Sequence, residues 1–267
     1  MTRSTLHAGL LASLLAVWGA GAAMAHVPYV RPNVMDATSR DHVTVEASFT
    51  EDVFAAEVVM RSDAWHVVGP NGDTPITAVT YLRDLAMFEA ATPVDGTYRI
   101  SSGPRSGRLG QMYKAADGDW KMVGEEDGPA PAGAEIVPVQ SITTADAYVT
   151  RGAPSAQALT PSGHGLEVVP LIQPADIVAG EDLPLQLLFD GKPLANTPVV
   201  IYREAGLYDG KKIEAELTSD AEGKVAVRVA TPGAYMTLVR YRTEAPAGSD
   251  VRFRSYSHSL TFAAQGG

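Results

Sequence analysis

Apolar and polar residues alternate along most of this chain beyond its first 25 positions, and they almost nowhere recur at helical spacing. Residues 42–49 read H-V-T-V-E-A-S-F, so a strand there places Val43, Val45, Ala47 and Phe49 on one face. Further short β-rich runs lie at 57–60, 65–68, 76–81 and 97–101. Pro70-Asn71-Gly72-Asp73 reads as a turn between two of them, because Asn and Gly tolerate left-handed dihedrals. The second half repeats the rhythm at 166–172, 183–189, 197–202, 225–229, 235–241 and 254–262. Asp190-Gly191-Lys192-Pro193 and Asp220-Ala221-Glu222-Gly223 are its turns. Many short strands with closely spaced turns predict an all-β protein.

Two stretches break the alternation. Residues 124–133 are acidic and rich in Pro and Gly, which predicts a surface loop; Glu125, Glu126 and Asp127 there offer carboxylates to a cation, although a solvated loop accounts for them. Residues 151–165 have no period and read as a linker, with a boundary near Pro161. The expected organisation is therefore two β-sandwich domains, at 26–160 and 161–267, the second immunoglobulin-like or transthyretin-like.

Residues 1–25 have a different character. Arg3 supplies a positive start, residues 8–20 are mostly apolar, and Ala23-Met24-Ala25 forms a small-residue cleavage site. The apolar run is shorter than the roughly 20 residues needed to span a bilayer. It predicts a signal peptide, a chain that begins at His26 after cleavage, a periplasmic location, and no membrane span in the mature protein. The net charge is −10, and loss of Arg3 makes the mature chain one unit more negative. Such a chain is a poor partner for nucleic acid, which needs clustered Lys and Arg. The absence of Cys excludes disulfides, thiolate nucleophiles and thiolate metal sites.

The chemistry-bearing motifs of common enzymes are missing: no G-x-S-x-G elbow, no phosphate loop, no H-E-x-x-H. No enzyme activity is expected. Five histidines follow the cleavage site: His26, His42, His66, His164 and His258. None belongs to a tight H-x-H or H-x-x-x-H pair. His42 begins an alternating strand opposite Val43, which points it to solvent, and His164 lies in the Gly-rich linker. His26 differs, because at a mature N-terminus its α-amine and imidazole can chelate one metal ion together. Pro28 in third place has no N–H to contribute a deprotonated amide, so further ligands must come from distant strands. His66 and His258, both in strand-like runs, are the candidates. Cleavage having merely left a His there also accounts for it.

The opening A-H-V-P-Y-V-R-P-N (25–33) resembles the A-H-x-x-x-x-x-P-[DN] start of a large family of bacterial periplasmic proteins whose domain has no assigned function. G-L-E-V-V-P-L-I-Q-P (165–174) and A-G-E-D-L-P-L-Q-L-L-F-D-G-K-P-L-A-N-T-P-V (179–199) resemble later segments of that family, as do T-S-D-A-E-G-K-V (218–225), P-G-A-Y (232–235) and S-L-T-F (259–262). Some members are described as periplasmic components of nickel/cobalt uptake systems. The resemblance implies a metal-linked binding role with His26 as a ligand. It does not supply the remaining ligands, and Glu167, though in a matched segment, is explained as well by strand alternation.

Three readings follow. The first is a periplasmic binding protein for a divalent transition metal, nickel or cobalt first and copper or iron next, or for a complex of one. It would feed a membrane uptake system or serve an outer-membrane receptor. The second is a non-catalytic β-sandwich module that binds an envelope protein or polysaccharide, with Tyr202, Tyr208, Tyr235, Tyr241 and Tyr256 available for a surface platform. The third is a copper oxygenase with a histidine brace, which requires a second histidine beside His26.

Overall fold

The computed structural model describes residues 26–124 and 128–267. The proposed signal peptide and the carboxylates Glu125, Glu126 and Asp127 lie outside the described residues. The chain enters as β1 (Val27–Pro32), β2 (His42–Thr50), β3 (Val58–Val59), β4 (His66–Gly69), β5 (Gly72–Pro75), β6 (Val79–Tyr81), β7 (Ala86–Ala91) and β8 (Gly96–Ser101). A ribbon follows, β9 (Arg105–Lys114) and β10 (Trp120–Met122), and then the long β11 (Ile136–Arg151). The second half contributes β12 (Leu166–Pro170), β13 (Asp182–Phe189), β14 (Lys192–Pro193), β15 (Pro198–Arg203), one helical turn α1 (Gly206–Asp209), β16 (Ile213–Thr218), β17 (Lys224–Arg228), β18 (Gly233–Glu244) and β19 (Phe253–Ala264). No helix among the described residues is long and apolar enough to cross a membrane.

These strands form three sheets. β1-β2-β7-β6, with β3 on β2, make a five-stranded sheet; β12-β13-β14, with β17 on β13, make a four-stranded one. Between them runs a ten-stranded sheet in the order β16-β15-β18-β19-β11-β8-β4-β5, with β9 on β11 and β10 on β9. Alternation along its central strands serves both sides. Ala145, Ala147 and Val149 of β11, with Tyr98 and Ile100 of β8, pack with Val43, Val45 and Phe88 of the first sheet. Tyr148 of β11, with Leu260 and Phe262 of β19, packs with Leu185, Leu187 and Val227 of the other outer sheet. The molecule is thus two β-sandwiches that share their middle layer. The boundary near Pro161 separates the segments but not the sheet, since β11 from the first half pairs parallel with β19 from the second, Val139 to Phe253 through Ala147 to Thr261.

Alternation in β2 holds through Ala47 and then breaks: Ser48 is buried and Phe49 only partly so. The Ser48 hydroxyl bonds the carbonyls of Val58 (2.9 Å) and Asp84 (2.7 Å), which satisfies the group inside. The turn residues act as their types require. Asp190 and Gly191 take φ of 49° and 72° between β13 and β14, where Phe189 pairs with Lys192.

Candidate functional site

His26 lies where the first strand begins. Pairing of Val27 with Thr50 sets it across from Glu51, and the β2–β3 connection returns Glu57 to the same place. That connection is held by the backbone N–H of Glu51, which donates to the Glu57 carboxylate at 3.0 Å, and by the Thr50 hydroxyl on the Asp52 carbonyl. Its tip carries Phe54 at φ 63°, an unfavourable angle for an aromatic residue. The Phe54 ring is fixed by an edge contact with Tyr29 (centroids 5.4 Å) and by the Arg31 guanidinium 4.7 Å above it. The result brings His26 Nε2 to 3.2 Å from Glu57 Oε2 and 4.0 Å from Glu51 Oε1. All three are exposed, and their ligand atoms lie within 4.8 Å of one another. One imidazole and two carboxylates in this arrangement can chelate a divalent cation.

The structure does not bring the predicted histidines together. His66 opens β4, with its Nδ1 2.8 Å from the Ala64 carbonyl. His258 is 1% exposed inside the second sandwich, its Nε2 3.3 Å from Asp146 Oδ2. His42 stands at the surface against Asp41 at 2.7 Å, and His164 is exposed. The group at His26 therefore contains two glutamates and no second histidine, so the oxygenase reading lacks the brace it requires.

His258 instead belongs to a buried polar cluster that the sequence did not announce. Asp146, Arg99, Tyr148 and Glu167 are all buried with it, where the central sheet meets β12. Burial by itself would raise the Asp146 pKa; the hydrogen bond and charge of His258, helped by Arg99 and Ser101, outweigh it and hold the carboxyl below the usual range. Burial drives the Tyr148 hydroxyl the other way, to a raised pKa, so it stays protonated. Glu167 closes the cluster and also accepts the backbone N–H groups of Ser162 (2.7 Å) and Gly163 (2.9 Å), tying down the start of the segment after the boundary.

A crevice of about 610 Å³ opens where the two sandwiches part. Pairing of β11 with β19 stops at Ala147 and Thr261. Beyond that point, residues 35–37 bridge onto Thr150 and residues 177–179 bridge onto Gln265. The opening between them is lined by apolar residues such as Val34, Ile177, Leu183 and Phe262, and by the hydroxyls of Tyr148, Thr150 and Thr261, with Asp36 supplying a carboxylate. Hydrogen bonds from Thr38 hold Asp36 below the usual carboxylate range. No Lys or Arg lines the crevice among the described residues.

The five tyrosines considered for a platform form no exposed row. Tyr202 and Tyr235 are core residues. Tyr241 and Tyr256 pack on Phe189, with centroids at 4.8 and 5.0 Å. Tyr208 alone of the five is open to solvent, at 85%.

Among solved structures, the chain is similar to the D0-D1 domain of intimin (11% identity, 89% of this chain and 99% of that one, TM-score 0.21). It is also similar to the adhesin InvE of Yersinia pseudotuberculosis (15%, 89% and 58%, TM-score 0.18). A third likeness is to the two tandem V-type regions of VCBP3, a v-region-containing chitin binding protein (11%, 88% and 99%, TM-score 0.19). No curated protein matches the chain.

These findings correct the expected nickel/cobalt role. The three histidines proposed to gather on one ion are spread over separate environments, with His258 enclosed in the core, and the His26 group stands open in solvent rather than enclosing a cargo ion. The metal-transport function, its uptake-system partner and the free periplasmic location inferred with it are set aside. A family model described as a domain of unknown function (DUF4198) matches residues 23–243, and the chain belongs to that family.

Proposed function

We propose that the protein is a non-catalytic module of two β-sandwiches that binds a protein or polysaccharide of the cell envelope. The observation that carries this reading is the crevice between the sandwiches. Its volume of about 610 Å³ is in the range of ligand sites, and such sites favour the places where two structural units part. Its lining supports binding rather than chemistry: aliphatic surface, hydroxyls and the Asp36 carboxylate, with no base paired to a nucleophile. Exposed apolar side chains elsewhere, Leu109 at 67% among them, add contact surface of the kind partners cover. The scattered tyrosines favour a protein over a sugar chain, since polysaccharide binding uses aromatic platforms. The test is co-sedimentation of the exported protein with peptidoglycan, with outer-membrane vesicles and with lipopolysaccharide. Retention by one of these fractions is expected. Recovery wholly in the supernatant of all three would overturn the reading.

A second reading concerns the surface cluster and stands apart from transport. We infer that His26, Glu51 and Glu57 take up a divalent cation, supported by the approach of their ligand atoms. In a mature chain that begins at His26, the α-amine adds a fourth donor. Calorimetry with nickel and zinc should then detect binding that Glu57→Gln weakens and that an extra residue ahead of His26 weakens further. Equal heats for all three forms would remove the site.

A further inference from the structure

The crevice has a backbone feature that its side chains do not reveal. Thr150 donates its N–H to the Met35 carbonyl at 3.0 Å, and its carbonyl accepts the N–H of Ala37 at 2.8 Å. Across the opening, Gln265 donates to the Ile177 carbonyl and accepts from Ala179, both at 2.9 Å. Both bridges are parallel. In extended backbone, the polar groups of neighbouring residues point to opposite sides. If Met35 and Ala37 spend theirs on β11, then Asp36 turns its N–H and C=O toward the opening. By the same alternation Val178 faces the opening from the other side; its carbonyl is partly occupied by the N–H of Glu181, at 3.2 Å. The two bridges thus present facing strand edges, where the central sheet has split and left a gap between them.

The side chains around the gap also lack partners. The hydroxyl oxygens of Thr150 and Thr261 are buried and have no hydrogen-bond partner among the described residues, while that of Tyr148 lies against the Arg99 guanidinium. Each of these residues lines the crevice and is at least nine-tenths buried. Two unpaired hydroxyls in one place are uncommon in a folded protein, where such groups are normally satisfied.

We propose that the crevice receives an extended segment of a partner protein, laid between residues 35–37 and 177–179 as an added strand. Main-chain pairing with the Asp36 edge supplies affinity, as in other cases of strand addition. Alternate side chains of the guest enter the apolar surface formed by Val34, Ile177, Leu183 and Phe262, and a basic side chain meets Asp36. This deepens the envelope-binding reading and rests on its protein branch. A sugar chain is the competing occupant. It is less well matched, because a strand edge offers paired main-chain groups at the repeat of another peptide.

The test uses the exported protein and a displayed library of random peptides. Enrichment of sequences that alternate apolar residues and carry a Lys or Arg is expected. Binding of the enriched peptides should fall about tenfold or more, some 1.4 kcal/mol or beyond, in Ala175→Trp, which fills the crevice from the 3-10 turn at Pro174–Asp176. Asp36→Lys changes the charge without touching the core, and should reverse the preference toward acidic peptides. Thermal melts of both variants confirm that they remain folded. No enrichment, or peptides that bind wild type and both folded variants alike, would overturn the assignment. Binding of chitin or cellulose oligosaccharides that Ala175→Trp abolishes, with no peptide binding, would overturn it in favour of a sugar site. If envelope fractions still retain the protein while peptides do not bind, the strand proposal fails alone. If they do not retain it, the wider reading fails.

Discussion

Asp146 shows how one residue can be invisible in sequence and central in structure. In T-T-A-D-A-Y it reads as an interruption of a strand, yet it lies buried beside His258 and Arg99. Because its pKa is lowered on folding, the stability it contributes is present above the ordinary carboxylate range and is lost as pH falls through the lower folded value. Asp146→Asn should therefore lower stability at neutral pH by about 3–5 kcal/mol, the usual cost of breaking a buried charged pair. It should also flatten the acid limb of the unfolding curve below about pH 4. Chemical denaturation at several pH values checks both effects; an unchanged acid limb would remove Asp146 from the account. The surface cluster was half legible for a similar reason. His26 stood out by its place after the expected cleavage site. Glu51 and Glu57 are ordinary acidic residues until pairing of Val27 with Thr50 brings them round to it. The choice of His66 and His258 as its partners rested on strand location alone, and strand location does not say which face a side chain takes or how far away it ends.

At the level of elements, alternation was a good guide where one face is apolar and the other polar, as in β2, β13 and β17, whose buried positions recur every second residue for most of their length. The runs read from it left out β1, β7, β10 and β16, and also β9 and β11. β9 is largely solvent-exposed, and β11 has an exposed start and an interior end whose second face carries Asp146 and Tyr148. A strand between two cores has no solvent face to mark it. The turns were more readable, because a dihedral requirement selects residue types. Gly223 illustrates this: at φ 73°, a Cβ would stand 2.7 Å from the Leu187 carbonyl oxygen and 2.8 Å from the Leu194 nitrogen, both backbone atoms that cannot move aside. Gly118 has φ 93° and open space around it. Gly223→Ala should cost on the order of 2–3 kcal/mol or more, and Gly118→Ala about 1. Thermal melts of the pair separate packing from dihedral strain; equal losses would mean that the close approach at Gly223 is relieved elsewhere.

For the whole molecule, the sequence conveyed two sandwiches but not the layer they share. Composition and alternation describe faces, and a shared sheet is a matter of which edges meet. The ten-stranded sheet takes β4, β5, β8, β9, β10 and β11 from one side of Pro161 and β15, β16, β18 and β19 from the other. Division at that residue would strip β11 of β19 along nine paired positions and expose an apolar strand edge. A fragment that stops at residue 160 should therefore fail to give a cooperative unfolding transition, and the intact protein should unfold in a single one. Circular dichroism and limited proteolysis test this, and two separated transitions in the intact protein would show that the sandwiches hold themselves independently.

The parallel union of β11 and β19 also sets an order of events. Asp146 and His258 are 112 residues apart in the chain, and strands that distant meet late, after the cost of closing a long loop has been met. A ribosome adding about 5–20 residues per second delivers β19 several seconds after β11. Through that interval the first half has β8 and β9 on one side of its central strand but no mate on the other, and that edge must be kept from pairing with a neighbour. If the proposed signal peptide sends the chain across a membrane unfolded, that route gains from this delay. The contact that completes its middle sheet is also the one that forms last, so the chain stays threadable until nearly all of it has emerged.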